Sequence, residues 1–207
     1  MAHEGSRLKV ADDARRRVGR PRREGLDEAI LDAALSEMAR VGYARTSVAA
    51  VARAAATTKM TVYSRFPSKA ALATAALESM RRRTPRRLTG DTRTDLIAEL
   101  SLLRAGALRP HGMSMLGAVL AEEHENPELL RLFRKHVIEP RRRNLSRILR
   151  AGLASGQLHP QADVDLGVTM LVGSLYAAYM AGHRPARDWP ERVVDAWLRC
   201  NGRGAGD

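Results

Sequence analysis

Apolar positions recur at helical spacing along most of the chain. Leu26, Ile30, Leu31, Ala34, Leu35, Met38 and Val41 fall on one face of a first helix, and Gly42 offers the C-cap that stops it. Thr46 and Ser47 supply N-cap oxygens for a short second helix whose inner face is Val48, Val51, Ala52 and Ala55. After a break at Ala56 and Thr57, Thr58 caps a third short helix over residues 59–64, which Pro67 ends. Ser68 caps a fourth helix running from Lys69 to about Arg83, closed by Pro85.

Beyond residue 91 the spacing predicts five more helices, at about 92–108, 113–124, 127–155, 163–182 and 189–200. Pro110, Pro127, Gly156 with Pro160, and Pro185 with Pro190 stand where starts and stops belong. Pro140 falls inside the third of these five, and its missing N–H predicts that this helix kinks or splits near residues 136–139. No segment alternates with a period of two, so the expected class is all-α with about nine helices. The chain divides into a basic arm over 1–24, a helix-turn-helix unit with its connecting helix over 25–90, and a helical unit over 91–207.

Charge sharpens this division. The 207 residues carry a net charge of +12, of which residues 1–90 hold +10 and residues 91–207 only +2. A face so lopsided attracts polyanions, with nucleic acid the commonest and an anionic membrane the rival. In the arm, Arg15, Arg16, Arg17, Arg20, Arg22 and Arg23 crowd around Gly19 and Pro21, which suits either a solvated tail or a strap along DNA reaching a narrow minor groove. The single cysteine, Cys200, excludes a disulfide framework and a thiolate metal cluster, and no apolar leader precedes residue 24, so a cytoplasmic location is expected. Residues 164–182 approach membrane-spanning length with only Asp165 charged, but their glycines and polar groups fit a buried helix better, and no membrane partner is expected.

Two short helices around a tight corner, over 47–64, form the layout in which the second helix enters the major groove. Thr58, Lys59, Met60, Thr61 and Ser64 are then the groups placed to meet base edges, with Tyr63 and Lys69 placed for phosphates. Phe66 is assigned to the core, pinning the third helix against the first. From Thr46-Ser47 through Val48–Ala55 to the run Thr58-Lys59-Met60-Thr61-Val62-Tyr63-Ser64-Arg65-Phe66-Pro67-Ser68-Lys69, the chain resembles the TetR family of bacterial regulators over residues 26–77. The resemblance implies a three-helix DNA-binding domain joined by a fourth helix to an all-helical dimerisation and ligand-binding domain. It implies that Thr46 and Ser47 meet phosphate, that residues 59–64 occupy the major groove, and that Tyr63 and Lys69 grip the backbone. The arm's own charge adds Arg20, Arg22 and Arg23 as further candidates for DNA contact. Two positions depart from the family pattern: Ala56 stands where glycine is usual, and Thr57 where an apolar residue is. A left-handed backbone at Ala56 would cost about 1–2 kcal/mol.

For a two-fold seam, the last two helices offer Gly167, Gly173 and Ala177 for close approach and Leu171, Leu175, Trp189, Val193, Trp197 and Leu198 for bulk. The partners expected are double-stranded DNA, a second copy of the chain, and an unknown small-molecule effector. Met113, Met115, Phe133, His136, Met170, Tyr176, Tyr179 and Met180 are the candidates for lining an effector cavity, although the same residues also suit a core. No catalytic constellation, metal site or cofactor motif is visible; His124 with Glu128 alone has helical ligand spacing and reads as a surface pair. The function expected is a sequence-specific transcriptional regulator, a repressor released from an inverted-repeat operator by its effector. The alternative is an architectural DNA binder that ignores ligands.

Overall fold

The computed structural model describes residues 25–80 and 87–203, which form helices joined by short turns. The order is α1 (Leu26–Arg45), α2 (Val48–Ala54), α3 (Lys59–Tyr63), α4 (Lys69–Ser79), α5 (Thr92–Ala107), α6 (Gly112–Ala121), α7 (Pro127–Phe133), α8 (Glu139–Ala154), α9 (Val164–Met180) and α10 (Trp189–Asn201). No β-strand occurs among the described residues; Leu158 and Gly202 share one isolated bridge. No described helix is long and apolar enough to cross a membrane. Residues Arg20, Arg22 and Arg23 of the arm, and the expected end of the fourth helix at Arg83, lie outside the described residues.

Side-chain caps set the starts of five helices. Ser47, Thr58, Ser68, Asp91 and Asp163 accept from N–H groups in the first turns of α2, α3, α4, α5 and α9, satisfying donors that a helix end leaves bare. Gly42 interrupts α1 (φ 79°, ψ 165°), yet one further turn follows it to Arg45 before the chain leaves the helix. Pro140 does not break its helix either. Between α7 and α8 the residues Arg134–Ile138 widen into a π-helical turn in which Glu139 N–H bonds back to Arg134 O, and this slack absorbs the hydrogen bond that proline cannot make.

Two apolar cores hold the helices. The first joins Ile30, Met38, Val51, Val62, Leu72 and Leu77 of α1–α4 to Met115 and Val119 of α6 and Leu129 and Phe133 of α7. The second gathers Leu96, Leu100 and Leu103 of α5 with Leu145 and Leu149 of α8, Leu171 and Leu175 of α9, and Val194 and Trp197 of α10. Packing therefore mounts the helix-turn-helix directly on α6 and α7, while α5, α8, α9 and α10 form a separate layer behind them. Burial of each leucine contributes about 1.5–3 kcal/mol before entropy is charged against it.

Candidate DNA-binding surface

Five residues are too few for a helix to hold itself in water, so α3 depends on what lies beneath it. Val62 is wholly buried, Phe66 packs half-buried on the same core, and the Arg65 guanidinium pairs with Asp27 near the start of α1. At its other end, Thr58 Oγ1 accepts from Thr61 N at 3.1 Å and lies 2.8 Å from the Thr61 hydroxyl. With that inner face fixed, Lys59, Met60, Tyr63 and Ser64 point outward, Met60 with 84% of its surface exposed. The Lys59 ammonium lies 5.7 Å from the Tyr63 ring centroid, an arrangement that keeps both at one edge of the helix.

The corner before α3 explains why glycine is usual there. Thr57 N–H donates to Ala52 O at 2.9 Å and Ala56 N–H to Arg53 O at 3.1 Å, the paired bonds of a Schellman ending for α2. That ending needs a left-handed residue, and Ala56 adopts φ 49° to provide it. The turn keeps its shape and bears the strain of a β-carbon in that region.

Electrostatics favour an anion over the whole surface. Residues 38–77 contain Arg40, Arg45, Arg53, Lys59, Arg65 and Lys69 and not one carboxylate. Arg53, exposed on α2, makes no ion pair or side-chain hydrogen bond among the described residues and joins the candidate contacts. Inspection of single motifs missed it; the forty-residue absence of acid is the signal that finds it.

Two expected contacts are placed differently. Thr46 is buried, its hydroxyl donating to Gly42 O at 2.7 Å, so it closes the end of α1 and has no surface to offer a phosphate. Lys69 donates to Ala44 O at 2.8 Å with its ammonium 4.7 Å from the Tyr43 ring centroid. A cation at the start of α4 opposes that helix's dipole, and the carbonyl end of α1 supplies the compensating negative charge. Ser47 remains exposed beside them as the cap of α2.

Residues 42–46 thus form an elbow between α1 and α2, and the rest of the protein reaches into it. Gly42 leaves a notch filled by the Glu122 carboxylate at the end of α6, whose Oε2 accepts from Ala44 N at 3.4 Å. A β-carbon on Gly42 would stand 1.7 Å from Glu122 Oε1. Further along, the Glu78 carboxylate of α4 meets His136 Nδ1 of the π turn at 2.9 Å.

Residues 30–76 match the family described as bacterial regulatory proteins, tetR family, and residues 86–197 match the tetracyclin repressor-like C-terminal domain. The chain belongs to the TetR family. It is a helix-turn-helix transcriptional regulator. An uncharacterized HTH-type transcriptional regulator of Mycobacterium tuberculosis is 33% identical over 156 residues, 74% of this chain and 76% of that one. A DNA-binding transcriptional repressor TetR of Mycobacteroides abscessus is 37% identical over 123 residues, 58% of this chain and 63% of that one. The crystal structure of a TetR transcriptional regulator from Agrobacterium tumefaciens shares the fold, with a TM-score of 0.66 at 19% identity over 86% of this chain and 94% of that one.

In this TetR-family chain the residues expected to line an effector cavity are scattered. Met115 and Phe133 are closed into the first core, because α6 and α7 turn them toward α1 and α4. His136 is engaged with Glu78, and Tyr176 is half-buried against the second core, where burial pushes its hydroxyl pKa up. Met113 and Tyr179 alone share an open cavity. Met170 and Met180 face outward on α9.

The residues expected at a dimer seam divide likewise. Gly167 admits Trp197 of its own chain, whose ring would lie 2.8 Å from a β-carbon there, and Leu171, Leu175, Trp189 and Trp197 are buried in the second core. Val193 and Leu198 pack half-buried beside them. Gly173 and Ala177 face away from the chain's own core, and with Leu166, Met170 and Met180 they form a stripe at alternating spacings of four and three along α9. Leu166 and Met170 are each 55% exposed and Met180 82%, leaving a long apolar face without a partner among the described residues. Glu128 pairs with Arg131, and no group of three or more metal-ligating side chains occurs among the described residues.

Proposed function

We propose that the protein is a homodimeric repressor that lays α3 of each subunit in the major groove of an inverted-repeat operator and leaves it when a small molecule occupies the helical unit beyond residue 90. The observation that carries this reading is the two-sidedness of α3. Val62 locks it from below, while Thr58, Lys59, Met60, Thr61 and Ser64 occupy the surface that a groove would receive. Ser47, Arg53 and Tyr63, exposed on the same pair of helices, are the groups that would meet the phosphate strands. Lys69 acts one step back, holding the elbow from which α2 and α3 project.

The exposed stripe of α9 supplies the two-fold. Leu166, Met170 and Met180 would be costly to leave in water, and Gly173 with Ala177 lets two such helices approach closely. A symmetric pair sets two α3 helices one DNA turn or a small multiple apart. Repression follows the name of the Mycobacteroides abscessus relative, and effector release follows the general habit of the family. An effector can loosen DNA only by binding better to a dimer geometry that no longer fits the operator.

Selection of bound fragments from random duplex DNA, repeated with candidate small molecules, tests all of this. Recovery of an inverted repeat whose retention falls with one class of compound is the expected result. Fragments without a shared sequence, lost uniformly as salt rises, would make the protein an architectural binder instead.

A further inference from the structure

A cavity of about 560 Å³ opens where the α5–α6 corner meets the C-terminal end of α9, within the size range of small-molecule sites. Its wall is chemically one-sided. Arg109 and His111 enter from the corner, His183 and Arg184 from beyond α9, and no carboxylate lines the space. None of the four makes an ion pair or side-chain hydrogen bond among the described residues, so their donors are free for a guest. Ser114 and Tyr179 add hydroxyls, and Ala107, Leu108 and Met113 provide an apolar floor.

A basic residue just past a helix C-terminus ordinarily complements the dipole of its own helix, which accounts for Arg109 after α5 or Arg184 after α9 taken singly. That role does not account for the convergence of two distant segments on one hollow. The corner is also rigidly shaped. His111 holds a left-handed backbone at φ 67°, and a β-carbon on Gly112 would lie 2.4 Å from Ala107 O. Strain of this kind persists only where the surroundings enforce it, and here it fixes an imidazole at the cavity wall.

We infer that this cavity binds a small organic anion, a carboxylate or phosphate ester with an apolar body, whose charged end meets Arg109 and Arg184. Guanidinium groups from two segments lining one space suit the oxygens of such a ligand, and the apolar lining takes its remainder. Tyr179 is adjacent to Met180 at the end of the α9 stripe, so an occupant that draws the corner and α9 together changes the seam proposed for the dimer. This assignment rests on the effector-responsive reading above and names the chemistry of the effector.

Titration calorimetry of the full-length protein with naphthoate, naphthamide and naphthylmethylammonium presents one ring system with three charges. Naphthoate should bind at least about tenfold more tightly than the amide, and the ammonium should bind most weakly. R109Q/R184Q should erase that order while lowering the melting temperature by no more than a few degrees, since both side chains are exposed and lose only their contact with a helix end. R147Q/R150Q, on the outer face of α8, should preserve it. Equal affinities, a preference for the cation, or an anion preference that survives R109Q/R184Q would overturn the assignment. Measuring operator affinity in the same solutions keeps the two ideas apart. Naphthoate that binds through Arg109 and Arg184 yet leaves DNA affinity unchanged upholds the anion site and defeats effector release.

Discussion

Replacing Ala56 with glycine should stabilise this protein while removing nothing it uses. Ala56 is exposed at φ 49°, the left-handed position that ends α2, so its methyl gains no burial and meets its own backbone. An L-residue there costs about 1–2 kcal/mol relative to a right-handed position. Glycine in turn gives up about 0.5–1 kcal/mol more conformational entropy on folding than alanine. The balance lies between about zero and a gain of about 1.5 kcal/mol, and at about 2–4 °C per kcal/mol for a chain of this length Tm should rise by up to about 6 °C. Thermal melting followed by circular dichroism measures it. The neighbouring A55G serves as the opposite case, because Ala55 sits at φ −83° and is buried, so glycine there brings only losses. A fall in Tm for A56G, or equal responses at the two positions, would refute the account of this corner.

Three further outcomes follow from the same geometry. G42A forces a β-carbon into a left-handed position and evicts the Glu122 carboxylate, so it should cost about 1–3 kcal/mol in denaturant unfolding; an unchanged midpoint would show that the notch is slack. L166E/M170E should yield helical monomers in analytical ultracentrifugation, and dimers that persist would place the seam away from the α9 stripe. Hydrogen bonds from the Thr94 side chain and from Thr94 N, the latter at 2.7 Å, hold the Asp91 carboxyl pKa below the usual range. A depressed pKa gives stability that is present above the unfolded value of about 4 and lost as pH falls through the folded value. Acidification from about pH 5 to pH 2 should therefore destabilise the native chain more than D91N, and parallel Tm curves would remove that cap from the balance.

What was legible in the sequence was local. Ser47, Thr58 and Ser68 announced their helices because an N-cap oxygen acts on the next turn, and Phe66 was readable as part of the underside of α3. Pro140 was correctly located as a disturbance, but whether a missing N–H ends in a kink or a π turn is decided by the tertiary packing around Arg134–Ile138. The seam and the cavity were less legible for a related reason. Hydrophobic spacing says that α9 buries a face without saying against what, so Gly167 and Leu171, which meet Trp197 and the core of their own chain, were indistinguishable from residues awaiting a second copy. The phosphate role of Thr46 came from the family resemblance alone, and the bond from its hydroxyl to Gly42 O, four residues back in the chain, gave no signal against it. Glu122 offered no sequence signal, since its partner lies 78 positions away.

The central claim is that α3 reads the major groove, and dimethyl sulfate interference on the selected operator tests it most directly. The reagent methylates guanine N7 in the major groove and adenine N3 in the minor groove. Binding should be blocked by N7 methylation at two clusters one helical turn or a small multiple apart, with K59A relieving part of the effect at both. Interference confined to adenine N3, or a single cluster, would contradict the placement of α3 and the two-fold arrangement built on it.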